Sequence, residues 1–400
     1  MVENAGAFRH FVQTQLPLSH WASRQRDGAR EHPQVSAAAI FTTLVYQSLL
    51  GLRSLLALDQ WVRLPHARAL LQQRGKRRGS DSTWLRALSQ WDLARARHAT
   101  YALALALRDQ GRLNRTLGSG RSVRLAVVDG SCLGGIWFCA LGFAGAQWQT
   151  LDVQRYSKRG KELPAARRLL ERVTKRLAQG FATHLLYDGL MAVRDDFARA
   201  QVQWGLHLVV KTTEETLEIV KSARTAWSAL SESAWREAGV EIVRGTDAER
   251  LCTYDIWAQA EVHWPGLAWP LKLARVRETP LKGKRAGQTE EFWVISTDET
   301  LRAEQLREMA HARWAIENNG FKTLNAMVGS KRAHLKNAHA REALLLIWSL
   351  GLALADAFQL WLIGQRGWRG WEARKTRRWV AWCIEWAMGT NEVSACGGSP

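Results

Sequence analysis

Apolar and polar residues follow three successive rhythms along this chain. Up to about residue 110 the apolar positions recur every three to four residues, as over 41–58 and along a long stretch, 83–108, that Ser80, Asp81 or Ser82 can cap. That spacing predicts an all-α N-terminal region. Residues 111–122, GRLNRTLGSGRS, have no period and are rich in Gly, Ser and Arg, which predicts a linker. From Arg124 short apolar runs take over: RLAVVDGS with Asp129 at its end, then 135–141 and 147–153, together a predicted meander of strands. A helix over 164–179, a strand THLLYD ending in Asp188, a helix over 193–204 and a strand over 206–211 follow. This β, α, β alternation over 123–213 predicts an α/β core with parallel strands.

Residues 214–298 break the alternation. After a helical piece over 214–237, strand-like runs at 250–263, 271–278 and 291–296 are separated by Trp-Pro-Gly and Lys-Gly-Lys turns, which predicts a β-rich insertion. The core resumes over 299–365. Within it, 307–329 reads as one helix, with Met309, Trp314, Ile316, Phe321, Leu324 and Met327 facing a core and Arg313 and Glu317 four apart on one face. Two apolar runs are long enough to raise the question of a membrane. The run 37–58 is broken by Gln47 and Arg53, and 343–363 contains Asp356 and Gln359, so both are expected as buried helices. Residues 366–400 form a basic tail in which Trp379, Trp382 and Trp386 recur at helical spacing, as in a packed stripe.

Composition narrows the class. With 46% apolar and 23% charged residues the chain is globular rather than disordered, and 56 Lys and Arg against 37 Asp and Glu give +19. Such an excess points to a polyanion, nucleic acid before a membrane surface. The five cysteines, Cys132, Cys139, Cys252, Cys383 and Cys396, contain no C-x-x-C pair, so neither a disulfide framework nor a zinc ribbon is indicated and a reducing cytoplasm is expected. The N-terminus lacks the basic region and apolar run of a secretory signal. Two basic loops suit phosphate contact: one around Lys76, Arg77 and Arg78, in a helix-turn-helix setting, and one with Lys158, Arg159 and Lys161 leading into a helix.

The candidate chemistry lies in three acids. Asp129 and Asp188 each close an apolar strand and precede a glycine, and the carboxyl ends of strands are where an open α/β sheet presents functional side chains. Glu317 comes from a distant helix. Carboxylates from three elements can converge to hold two Mg²⁺ ions for phosphodiester displacement. The plainer alternatives are turn or cap roles for the aspartates and an ordinary i,i+4 ion pair for Arg313 and Glu317. His207, His263, His311, His334 and His339 have no zinc spacing; Asp195 and Asp196 read as first-turn acids and Asp298 as a turn residue.

The segments VVDGS, LLYDG, FWVIST and RWAIENNGFKTL resemble, in order and spacing over about residues 35–360, the DDE transposases of bacterial insertion sequences, in the branch similar to the insertion-sequence-four group. The resemblance implies an RNase H-like α/β core interrupted by the β-rich insertion, and a DNA-binding helical region over 1–110. It implies Asp129, Asp188 and Glu317 as ligands of two Mg²⁺ ions, with Mn²⁺ as substitute, and strand cleavage and transfer at the ends of an insertion sequence. The expected partner is double-stranded DNA, bound by a homodimer, with no membrane involved. Of the family's tyrosine-arginine-glutamate-lysine signature the chain keeps Arg313 and Glu317. Ala310 stands where tyrosine is expected, and Leu324, or Asn325 if one extra residue is allowed at Gly320, where lysine is; Lys322 is the nearest cation. Arg313 and Lys322 are expected to contact phosphates. Trp257, Trp264 or Trp269 is a candidate to stack a flipped base, against ordinary hairpin packing. A catalytically silent DNA-binding descendant and a metal-dependent nuclease are the alternatives.

Overall fold

Single residues set the helix ends of the N-terminal region. The computed structural model describes residues 10–11, 14–28, 33–64, 67, 79–145, 148–228, 231–332 and 335–366, so Lys76, Arg77, Arg78 and the tryptophans of the tail lie outside the described residues. After α1 (Leu18–Ser23), the apolar period over 41–58 proves to be two helices, α2 (Ala37–Leu50) and α3 (Leu55–Val62), bent 109° apart. Gly51 ends α2 in the left-handed conformation at φ 69°, and the Ser54 hydroxyl caps α3 by accepting from the Ala57 amide. The stretch 83–108 likewise divides into α4 (Asp81–Ser89) and α5 (Leu93–Asp109), because the Asp92 carboxylate accepts the Ala94 and Arg95 amides and starts a new helix. Residues 111–122 fold onto the core, pairing Arg115–Thr116 with Ser122–Val123 and burying Leu113 and Leu117.

Nine strands then form one mixed sheet: β1 (Leu125–Leu133), β2 (Ile136–Ala144), β3 (Trp148–Tyr156), β4 (His184–Asp188), β5 (His207–Thr212), β6 (Glu241–Asp247), β7 (Cys252–Val262), β8 (Leu271–Pro280) and β9 (Glu290–Ser296). Their order is β3-β2-β1-β4-β5-β9-β8-β7-β6. β1, β2 and β3 are an antiparallel meander, β1-β4 and β4-β5 are parallel, and β9 joins β5 antiparallel. The inserted strands therefore prolong the core sheet rather than making a sheet of their own. Strand β6, half exposed at the sheet edge, lacks the apolar run that marks the others in sequence.

Helix α6 (Glu162–Leu177) covers the face of the meander toward which Val128, Leu141 and Asp152 alternate. Helix α7 (Arg194–Arg199) continues as a π turn over Ala200–Trp204, and α8 (Glu218–Ser228) and α9 (Glu232–Glu237) precede the inserted strands. Beyond β9, the segment predicted as one helix over 307–329 is α10 (Ala303–Ala312), a π turn (Ile316–Phe321) and α11 (Lys322–Val328). The last helix, α12 (Ala338–Arg366), is long and apolar enough to cross a membrane, yet 94% of its apolar window is buried inside the fold, with Asp356 and Gln359 buried too. It crosses α2 so closely that a Cβ on Gly351 would strike Ser48 and the Val45 carbonyl.

Candidate active site

Parallel pairing brings the two aspartates level. Val127 of β1 lies opposite Leu186 of β4, so two residues further on Asp129 and Asp188 stand side by side on the same face. Asp188 ends β4 as expected, whereas Asp129 lies in the middle of β1, which runs on to Leu133 in its pairing with β2. Each is oriented by the glycine after it: the Gly130 amide donates to Asp129 Oδ1 at 2.7 Å and the Gly189 amide to Asp188 Oδ1 at 2.6 Å. Those glycines face the crowded side. A Cβ at Gly130 would run into Tyr156 and Glu162, and one at Gly189 into Thr212.

Glu317 reaches the same place from the π turn. There the Lys322 amide donates five residues back, to the Glu317 carbonyl, so the helix carries one extra residue per turn at this point, a distortion frequent at functional sites. Gly320 permits it, since its Cα faces the Trp148 indole at a distance that leaves a Cβ only 2.9 Å from Nε1. Arg313, at the preceding break, joins the acids. Its Nη1 lies 3.2 Å from Asp129 Oδ2 and 3.4 Å from Asp188 Oδ2, and its Nη2 lies 3.9 Å from Glu317 Oε1. One guanidinium thus meets three carboxylates from three elements.

The electrostatics are unbalanced, with three acids around one cation. Burial pushes Asp129 up to about 6; Arg313 and the Gly130 amide oppose this, while the charges of Asp188 and Glu317 add to it. The Asp188 and Glu317 side chains remain 38% and 36% exposed, against 8% for Arg313. Among the described residues no three His, Cys, Asp or Glu side chains are close enough, as they stand, to hold one metal ion. The acids are instead arranged around the guanidinium. Their chemistry, oxygen donors with an unmet demand for positive charge and an open side to solvent, suits Mg²⁺ or Mn²⁺.

The remaining expected residues are placed as follows. Arg313 is directed at the acids rather than outward, and Lys322 is exposed, donating to Asn318 Oδ1 at 2.6 Å. Lys158, Arg159 and Lys161 are exposed on the loop after β3. Ala310 is buried, so no phenol is presented there. Trp257 and Trp264 are buried, the first edge-on to Trp235, the second edge-on to Phe197 and donating to Glu218, so both serve packing; Trp269 is partly buried against the core. Asp298 is more than a turn residue: it accepts from His184 Nε2 at 3.0 Å and Arg121 Nη2 at 2.6 Å. Two neighbours of the acids were not anticipated. Lys211, paired with Asp188 across β4 and β5, sets its Nζ 3.9 Å from the centre of the Phe292 ring, and burial lowers its pKa. Trp314, expected to face the core, is instead 41% exposed, because the helix breaks at Arg313, and its ring lies 5.4 Å from the Arg313 guanidinium. Lys211 could have been found as the end of a strand adjoining that of Asp188.

No known family's sequence pattern matches this chain, and no curated protein does. Among solved structures, a piggyBac transposase in a synaptic complex with hairpin DNA aligns over 96% of this chain and 80% of its own, with a TM-score of 0.39 and 12% identity. At that level the likeness assigns neither fold nor activity.

Proposed function

We propose that this protein is a DNA transposase of the DDE, insertion-sequence-four kind, cutting and joining strands at the ends of an insertion sequence with Asp129, Asp188 and Glu317 as metal ligands. The observation that carries this reading is the convergence of those three acids, from β1, β4 and the π turn, on one guanidinium. The sheet order supports it: a meander of three strands followed by two parallel ones fits an RNase H-like core, and sets the acids of its first and fourth strands level. Two divalent cations, when bound, would activate the attacking oxygen and stabilise the leaving one. Arg313 balances part of the acids' charge and keeps them convergent. The exposed Lys158, Arg159, Lys161 and Lys322 are available to DNA phosphates, in keeping with a charge of +19. A homodimer, each copy holding one end, is the working form.

A second reading, a silent DNA-binding descendant, is favoured by the same guanidinium, which occupies the centre of the acids. The test is cleavage of a duplex carrying the repeats that flank the gene, in Mg²⁺ or Mn²⁺, alongside binding of the same duplex. Asp188→Asn and Glu317→Gln are expected to bind as wild type does and to cut at least a hundredfold more slowly. Cutting at the wild-type rate by either variant refutes the ligand role; a wild type that binds and never cuts establishes the silent binder.

A further inference from the structure

Helix α6 has an outer stripe that the carboxylate cluster does not use. Arg168, Arg172, Lys175 and Arg176 recur at four, three and one residue spacings on the side away from buried Ala166, Leu170 and Val173, with Lys161 in line at the N-terminal end and Glu171 on the flank. Arg172 is committed to Asp152 at 2.8 Å, whereas Arg168, Lys175 and Arg176 are exposed and pair with no carboxylate among the described residues. The C-terminal half of the stripe forms one wall of an open cleft of about 650 Å³ whose other wall is α1 and α5. Arg24 and His98 line that cleft opposite Lys175 and Arg176, and its acid, Asp92, is already bound by Arg95.

Arg24, Lys175 and Arg176 bring several positive charges to one cleft. Arg176 Nη2 lies 2.8 Å from His98 Nδ1, an arrangement in which the imidazole must be neutral and accept; burial, then Arg176, Arg24 and His20, hold the His98 pKa down. Cations gathered without counterions favour an anion from outside. A small anion would need only the cleft. The stripe, however, runs 15 residues from Lys161 to Arg176, roughly 22 Å at 1.5 Å per residue, which is long enough to meet several successive phosphates of one DNA strand.

We propose that the outer face of α6, from Lys161 into the cleft at Arg24, Lys175 and Arg176, is a second DNA-binding surface that takes the phosphate backbone of a duplex without reading its sequence. Asp152 faces α6 while Asp129, in register with Ala140 and Val153, faces the other way, so this surface is on the far side of the sheet from the carboxylates. The duplex it holds is a segment other than the one at Asp129. The inference rests on the reading of the protein as a DNA enzyme, but its test involves no cleavage.

The experiment measures the salt dependence of binding to a 40-base-pair duplex of arbitrary sequence for the full chain, in EDTA. Losing two phosphate contacts in Lys175→Gln/Arg176→Gln should lower the log-log slope by about 1.8, and Arg168→Gln by about 0.9. Lys221→Gln/Arg224→Gln on α8 removes the same charge elsewhere and should leave the slope unchanged. Equal slopes in the α6 variants and wild type overturn the inference while leaving the carboxylate reading intact, as does an equal fall in the α8 control. Competition at the cleft by inorganic phosphate or ATP, with Arg168→Gln without effect, overturns it in favour of a small-anion site. Thermal unfolding of each variant confirms that these exposed substitutions leave the fold in place.

Discussion

Arg313 is asked to balance three acids, and that imbalance makes its removal informative. Its side chain is nearly buried, touching Asp129, Asp188 and Glu317, so Arg313→Gln leaves Asp129 buried without a counterion. Breaking a buried pair costs about 3–5 kcal/mol, but two of these acids are more than one-third exposed and screened by water, so about 2–3 kcal/mol is expected by urea denaturation in EDTA. Mg²⁺ should then stabilise the variant more than wild type, since the acids have lost the only guanidinium in contact with all three among the described residues. An equal response of the two proteins to Mg²⁺ would detach these acids from any metal. Asp129 and Asp188 were legible in sequence because each follows an apolar run and precedes a glycine, although only Asp188 ends its strand while β1 continues past Asp129 to Leu133. The role of Arg313 was not: its i,i+4 spacing reveals Glu317, while its contacts with the aspartates arise only when β1, β4 and the π turn assemble.

Elements were legible where burial is continuous and obscure where one residue interrupts a period. The apolar spacing over 41–58 and 83–108 continues through Gly51 and Asp92, yet the left-handed glycine and the capping aspartate end one helix and start another. The π turn is hidden for a related reason, because Ile316, Phe321 and Leu324 fit an ordinary helical face while the backbone carries one residue more. Strand β6 escaped because its seven residues, EIVRGTD, sit at an edge and bury little. Gly320 ties the π turn to the sheet. In Gly320→Ala the new Cβ presses on the Trp148 indole, which is itself buried and bonded to Thr150, so the turn must shift. The expected cost is about 1–3 kcal/mol by denaturant titration and, if the proposed function holds, cleavage slower than that of wild type. Wild-type stability together with wild-type cleavage would show that the turn does not position Glu317.

Across the whole molecule, buried ion clusters join parts that are far apart in sequence. Asp152 on β3 accepts from Arg97 at 2.8 Å, Arg172 at 2.8 Å and Tyr101 at 2.5 Å, and Arg97 also meets Glu342 of α12 at 2.5 Å. Asp152→Ala removes one of the two carboxylates on buried Arg97, which keeps Glu342, and, among the described residues, the one carboxylate on part-exposed Arg172, which keeps Gln154. Urea denaturation should therefore show a loss of about 2–3 kcal/mol, below the range for a fully broken buried pair. The Asp298 cluster fixes the opposite end of β4 and sets a pH dependence. Burial alone would raise the Asp298 pKa, but hydrogen bonds from His184 and Thr300, with His207 nearby, hold it well below the carboxylate range. Burial lowers the His184 pKa against the pull of Asp298, aided by His207 and Arg121. The two signs agree. The unfolded His takes up a proton below about pH 6.5 while the folded one resists, and the unfolded Asp does so below about pH 4 while the folded one stays ionised, so both contributions are lost on acidification. Urea midpoints should therefore fall from pH 7 to 5 and again toward pH 3. Asp298→Asn should remove this cluster's part of the lower step, giving a smaller fall between pH 5 and 3 than wild type; identical falls would mean that Asp298 gains nothing from His184 and Thr300 in the folded chain.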